Sequence, residues 1–269
     1  MEIIQLDGIH HFSDKKSICS FILASWFLAL PASTLAAKIN NNDPIRIGSY
    51  LTPGLIQSDG KGLFNKLNTA IFLEMARENT LTLTSLKRTR LGVKNGTLDG
   101  YFPELWENLP KSKAHYVVSR PIFYKRIILF TLKDSYLTKL SDFKDKPLGV
   151  VRGFSYGKEI KANPLLTLVY QENDSTNINL LLNKRINGVL GGFPGTVKAV
   201  KKNNALNKIQ FDLNKPVAIL ESFYVCKNDA EGIKLCSDIN KAIDSLLKKG
   251  ILELDAKTGY SRFTPLVDE

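Results

Sequence analysis

The chain has little of what catalytic and metal centres are usually built from. Its 269 residues include three cysteines, three histidines, two methionines and two tryptophans. His10 and His11 stand near the start, which leaves His115 as the one later histidine. A lone histidine beside the apolar run Tyr116-Val-Val118 reads as structural. Two later cysteines and one histidine, without ligand spacing, argue against zinc, and no other metal or cofactor is implied. No glycine loop of the P-loop type is present. No arginine-rich block interleaves with aromatics, which sets nucleic acid aside as a partner. No apolar run reaches the roughly 20 residues of a membrane-spanning helix.

The longest apolar run, Ser17 to Leu30, follows Lys15-Lys16 directly and ends at Pro31. Small residues follow, up to Ala36-Ala37. This order of charge, apolar stretch and small residues is that of a secretory signal peptide, so residues 1–37 are expected to be a leader cleaved near Ala36 or Ala37. Cys19 stands at the start of the run, not after it, so it is not placed to carry a lipid. The product is expected in a bacterial periplasm, with no stable membrane anchor and as a monomer.

Cys226 and Cys236 remain, and an oxidising compartment favours one disulfide between them. It would close a short loop between a strand end at Ser222–Cys226 and a helix beginning near Ala230; two buried free thiols are the alternative. The net charge is +11, and the leader's three carboxylates and two lysines leave +12 when it is removed. The lysines are spread along the chain, so the charge reads as a solvated face with a weak preference for a small polar or anionic ligand.

One pattern occurs twice. Leu91-Gly-Val-Lys-Asn-Gly96 with Thr-Leu-Asp99-Gly100-Tyr-Phe-Pro103 reads as a helix end, a turn and a strand stopped by proline. Leu181-Leu-Asn-Lys-Arg-Ile-Asn187-Gly188 with Val-Leu-Gly-Gly-Phe193-Pro194 reads the same way. Each copy follows a glycine-bearing apolar strand, Ile45–Tyr50 in one case and Leu148–Gly153 in the other. Leu63, Phe64, Leu67, Ile71, Phe72 and Met75 form the stripe of a helix lying on a sheet. Alternation of strand and helix predicts parallel sheets with right-handed crossovers. Further strands are expected at 127–132 and 217–225, a helix starting at Pro194, and a long last helix from Ala230 to a cap at Gly250. Two α/β lobes imply a cleft for a ligand.

Over residues 44–262 the chain resembles the bacterial extracellular solute-binding proteins of the amino-acid-binding type (family 3). The resemblance is carried by the opening strand with Gly48, the helix at Gly62–Met75, the unit ending in Asp99, and Ser119-Arg-Pro121 before Phe123-Tyr124. It continues through Leu140-Ser-Asp-Phe-Lys-Asp-Lys-Pro-Leu-Gly149-Val-Val-Arg-Gly153 and Asn240–Gly250. It implies an α/β, two-lobed periplasmic-binding-protein fold of type II, each lobe a mostly parallel sheet flanked by helices, with a two-strand hinge. Lobe 1 would be residues 44–132 and 217–269, and lobe 2 the inserted 133–216. It also implies capture of a small ligand by hinge closure and delivery to an ABC transporter permease. A dehydratase-like enzyme on the same fold, or a sensing module for a membrane receptor, is the alternative. In the family an arginine of the first lobe holds the ligand carboxylate; that place falls on Lys111 or Ser112 here. An aspartate after the second repeated strand holds the ammonium, where this chain has Gly191-Gly192-Phe193. Both departures point away from an ordinary α-amino acid as cargo.

Ligands bind beyond the carboxyl ends of parallel strands. The expected ligand-binding residues there are Tyr50, Glu104, Trp106 and Lys111 from the first lobe, and Arg152, Ser155 and Phe193 from the second. Gly153-Phe-Ser155 opens a helix whose free N–H groups favour an anion, and Arg152 could clamp one. Glu104 could take a ligand amine or hydroxyl, pair with Lys111, or, in the enzyme reading, act as general acid.

Overall fold

The computed structural model describes residues 43–265 except Pro53 and residues 110–112. The leader, its cleavage site and Lys111 lie outside the described residues.

The chain opens with strand β1 (Ile45–Ser49), helix α1 (Leu63–Glu74), β2 (Asn79–Leu83), α2 (Leu86–Asn95) and β3 (Gly100–Leu105). After a single turn at Trp106–Asn108 come β4 (Tyr116–Val118) and the long β5 (Phe123–Leu132). Then follow β6 (Pro147–Val151), α3 (Lys158–Lys161), β7 (Thr167–Gln171), α4 (Asp174–Leu182), β8 (Gly188–Gly192) and α5 (Gly195–Lys202). The last elements are β9 (Ile209–Gln210), β10 (Ala218–Lys227), α6 (Ala230–Lys248) and a hairpin of β11 (Leu252–Asp255) and β12 (Tyr260–Phe263).

Local chemistry explains most boundaries. The α1 stripe buries Phe64, Leu67, Ile71 and Phe72. Ser85 caps α2 by accepting from the Arg88 N–H, and Gly96 ends it with φ 75°, a left-handed conformation that glycine adopts without a Cβ clash. Asn173 caps α4 through the Thr176 N–H, and Asp229 caps α6 through the Gly232 N–H. Pro194 stands at the cap of α5, one residue before its expected place in the first turn.

The strand order is β2-β1-β3-β10-β5-β8-β6-β7, with β4 beside β10 and β9 beside β5. β1 is parallel to β2 and β3, and β6 is parallel to β7 and β8, so each repeat builds its own three-stranded parallel set. The ten-residue strands β5 and β10 run antiparallel to each other and join the two sets: β10 pairs with β3, and β5 pairs with β8. Pro103 does not stop β3, which continues to Leu105; the ladder to β10 shifts register between Phe223 and Val225 instead. A proline cannot donate to a ladder, so pairing breaks at an irregularity there. The Phe102–Pro103 and Phe193–Pro194 peptide bonds, at matching places in the two repeats, are both cis.

The core is divided in the same way. Around the first set, α1 and α6 pack on β1, β3 and β10, with Phe102 stacked on Tyr224 at 4.5 Å. Around the second, Ile128 and Phe130 of β5 meet Ile178, Leu181 and Val200, while Ile127 and Leu129 face Phe143, Leu148 and Ile160. β5 can serve both because successive side chains on a strand point to opposite faces. Cys226 of β10 and Cys236 of α6, both buried, are joined as a disulfide.

Candidate functional site

β3 ends beside β10, where Leu105 faces Ser222, and β8 ends beside β5, where Gly192 faces Ile127. At the end of β3, Glu104 is 1% exposed and its oxygens are already bonded. Arg90 of α2 donates to Oε2 through Nε at 2.8 Å and through a terminal nitrogen at 2.6 Å, and the Tyr101 hydroxyl donates to the same atom at 2.8 Å. Oε1 accepts the Leu105 N–H. Burial, with the Glu104 charge, pushes the Tyr101 phenol far up and the Tyr50 phenol up to about 12. Tyr50 donates its hydroxyl to the Pro103 carbonyl at 2.9 Å. Glu104 and Tyr50 therefore brace the end of β3.

Trp106 and Glu107 follow immediately. The Trp106 ring is half-exposed and meets Phe223 edge-on at 6.0 Å. The Glu107 carboxylate accepts from the Ser155 hydroxyl in the loop between β6 and α3, which links the two parallel sets directly. Gly157 in that loop has φ +95°, and a Cβ there would stand 3.4 Å from Leu220 of β10 and 3.9 Å from Glu107. The other second-set expectations lie apart from this contact. Arg152 is exposed and pairs with the exposed Glu172, and the Arg126 guanidinium covers the Phe193 ring at 4.7 Å.

Lys125 lies largely buried on β5, with its ammonium donating to the Ser155 carbonyl at 2.9 Å and standing 4.6 Å above the Phe154 ring. Burial pushes it down to about 8, against the upward pull of Glu107 and Asp174. Burial pushes the Asp174 carboxyl up, opposed by Thr196 and Lys125. Asp174 Oδ2 lies 3.7 Å from where a Cβ on Gly195 would stand, beside the turn after β8. An acid thus reaches this turn from α4, although the turn itself carries none.

The Lys125 shift has a measurable consequence. The cost of holding this ammonium out of water is absent above the unfolded value of 10.5, grows as the pH falls, and is complete below about 8. Its full size is about 3 kcal/mol. Measured against the unmutated protein, Lys125→Met is expected to be more stable at pH 7 than at pH 10.5 by about 3 kcal/mol. Urea unfolding across that range checks it; an equal gain at both ends would refute the buried-cation account.

Beside these groups lies a cavity of about 570 Å³, a size suited to a small ligand. Trp106 and Glu107 enter its wall from the end of β3, Tyr156 and Ile160 from the β6–α3 region, and Leu220 and Glu221 from β10. Among the described residues no group of three or more histidine, cysteine or acidic side chains could hold a metal ion.

Sequence reasoning missed Arg90, Glu107, Lys125 and Asp174. Lys125 and Arg126 did leave a signal, two cations in a run that is otherwise apolar from Ile122 to Leu132. The others left none, because their partners are brought in by distant elements.

No protein-family model matches the chain, and no curated protein matches it in sequence. Solved structures do match. The unliganded, open L-cystine solute receptor of Neisseria gonorrhoeae is 19% identical, with 78% of this chain and 90% of that one covered and a TM-score of 0.61. The GluR0 ligand-binding core of Nostoc punctiforme, in complex with L-glutamate, is 14% identical, with 77% and 94% covered and a TM-score of 0.57. A histidine kinase sensor domain similar to periplasmic binding proteins is 18% identical, with 78% and 92% covered and a TM-score of 0.56. At this level of identity the likeness speaks for architecture: the chain has the two-lobed, type II periplasmic-binding-protein fold.

Proposed function

We propose that the protein is an exported solute-binding protein of the amino-acid-binding type (family 3), which captures a small polar ligand between two lobes and delivers it to an ABC transporter permease. The carrying observation is the cavity whose wall is drawn from both parallel sets and from β10 between them. A ligand there touches both lobes only when they are closed, so it shifts an open–closed equilibrium by its differential affinity. The lobes are residues 44–132 with 217–269, and 133–216, and β5 and β10 are the hinge. The Cys226–Cys236 disulfide supports export, since such bonds persist in oxidising compartments. Among the described residues no helix is long and apolar enough to cross a membrane. Binding is favoured over dehydratase-like chemistry because Glu104, the acid that chemistry would use, is bonded to Arg90 and Tyr101.

A thermal-shift panel of amino acids, carboxylates, amines and sugars tests this reading. A true ligand at about a hundredfold excess over its Kd should raise Tm by about 5–10 °C. Small-angle scattering should show the radius of gyration fall with the same compound. Stabilisation without compaction would leave a binding protein but remove the hinge mechanism.

A further inference from the structure

Resting on that reading, the cavity beside β10 also says what kind of ligand it takes. We propose that it binds a small amine with an apolar, aromatic-sized body and no carboxylate of its own. Trp106, Tyr156, Ile160 and Leu220 offer a carbon and ring surface on three sides. Among the described residues, the charged groups on the wall are Glu107, Glu159 and Glu221, against one cation, Lys158. Glu107 is the half-buried one of the three acids and reaches both lobes through its contact with Ser155. An ammonium against Glu107 would keep that bridge, while a ligand carboxylate would meet the three acids.

The overall charge of +11 suggests the opposite preference. It is the weaker influence here. Its lysines are spread over the surface, and exposed charges are screened beyond about 8 Å at physiological salt. A half-buried carboxylate in the wall acts at contact distance, where screening is slight. Lys125 feels the Glu107 charge, but it does not restore an anion site: its ammonium is held by the Ser155 carbonyl and the Phe154 ring, and it is not part of the cavity wall. Among the described residues the wall has no guanidinium, the fork-shaped donor that pairs best with a carboxylate.

Isothermal titration of the full chain at pH 7 with 2-phenylethylamine, 2-phenylethanol and phenylacetate separates the charge preference from the apolar fit. The amine is expected to bind at least about tenfold more tightly than the alcohol, and the acid not to bind. Glu107→Gln should weaken the amine about tenfold or more and leave the alcohol unchanged. Leu220→Trp, which narrows the cavity and keeps every carboxylate, should weaken binding of both, and it reports on the site if Glu107→Gln does not fold. Phenylacetate binding as well as the amine, no amine binding at all, or amine affinity untouched by these variants overturns the proposal. If a sugar or carboxylate from the thermal-shift panel compacts the protein while the amine is inert, the solute-binding reading stands and the amine inference falls. Amine binding with an unchanged radius of gyration upholds the amine inference and removes the hinge mechanism.

Discussion

Arg90→Met is expected to lower the stability of the protein by about 3–5 kcal/mol, the cost of leaving a buried charge without its partner. Glu104 is 1% exposed and takes two guanidinium hydrogen bonds from Arg90, whose own side chain is 26% exposed. The two partners are unequal for that reason. Without Arg90, the carboxylate keeps only the Tyr101 hydroxyl and the Leu105 N–H, and water cannot reach it. Without the Glu104 charge, the guanidinium still bonds the Asn108 carbonyl at 2.8 Å and meets solvent. Glu104→Gln is therefore expected to cost clearly less, about 1–3 kcal/mol. Urea unfolding of the two variants and of the double variant checks the asymmetry. Equal costs for the two would mean that Glu104 is not sealed from water as its surroundings indicate.

Removing the disulfide by the paired change Cys226→Ala and Cys236→Ala is expected to cost about 3 kcal/mol in the chain-entropy account. The bond spans a sequence separation of 10 and ties β10 to α6. Both cysteines are also core residues beside Ile239 and Leu235, so alanine adds a small packing loss. Unfolding of the unmutated protein with and without reductant isolates the covalent part. The reductant should lower the midpoint of the unmutated protein and leave that of the double variant where it is. No response to reductant would mean two free thiols.

Much of the architecture was legible because it is written in local chemistry. The α1 stripe, the Gly96 stop of α2, the strand at Ile45 and the long α6 with Gly250 after it all follow from periodicity or from one special residue. The repeated helix–turn–strand unit pointed to two parallel sets, and the pairing of β1 with β2 and β3, and of β6 with β7 and β8, is that arrangement. What failed locally was where neighbours outweigh propensity. β5 was expected from Ile127, yet it starts at Phe123, because β10 pairs along Phe123–Ile127 and makes Lys125 and Arg126 part of the ladder. The closing hairpin β11–β12 went unread: its strands are four residues each, too short for alternation to stand out.

The expected site residues divide along the same line. Tyr50, Trp106, Arg152 and Phe193 directly follow the last residues of β1, β3, β6 and β8, and that placement depends only on where strands stop. Sequence alone could not say which way each functional group turns. Glu104 was weighed as a ligand contact, but Arg90, fourteen residues earlier on a helix, bonds its carboxylate. Ser155 was read as an anion site, but its hydroxyl is given to Glu107, forty-eight residues away. The sequence by itself determined most of the elements and the duplication, and it favoured pairing of the two cysteines, because hydrophobic period, turn residues and composition act over a few residues. Only the tertiary structure decided the cavity beside β10, the buried Lys125 and the bonded Glu104. Those arise where remote segments exclude water together, and burial by a distant neighbour leaves no trace in the residues on either side.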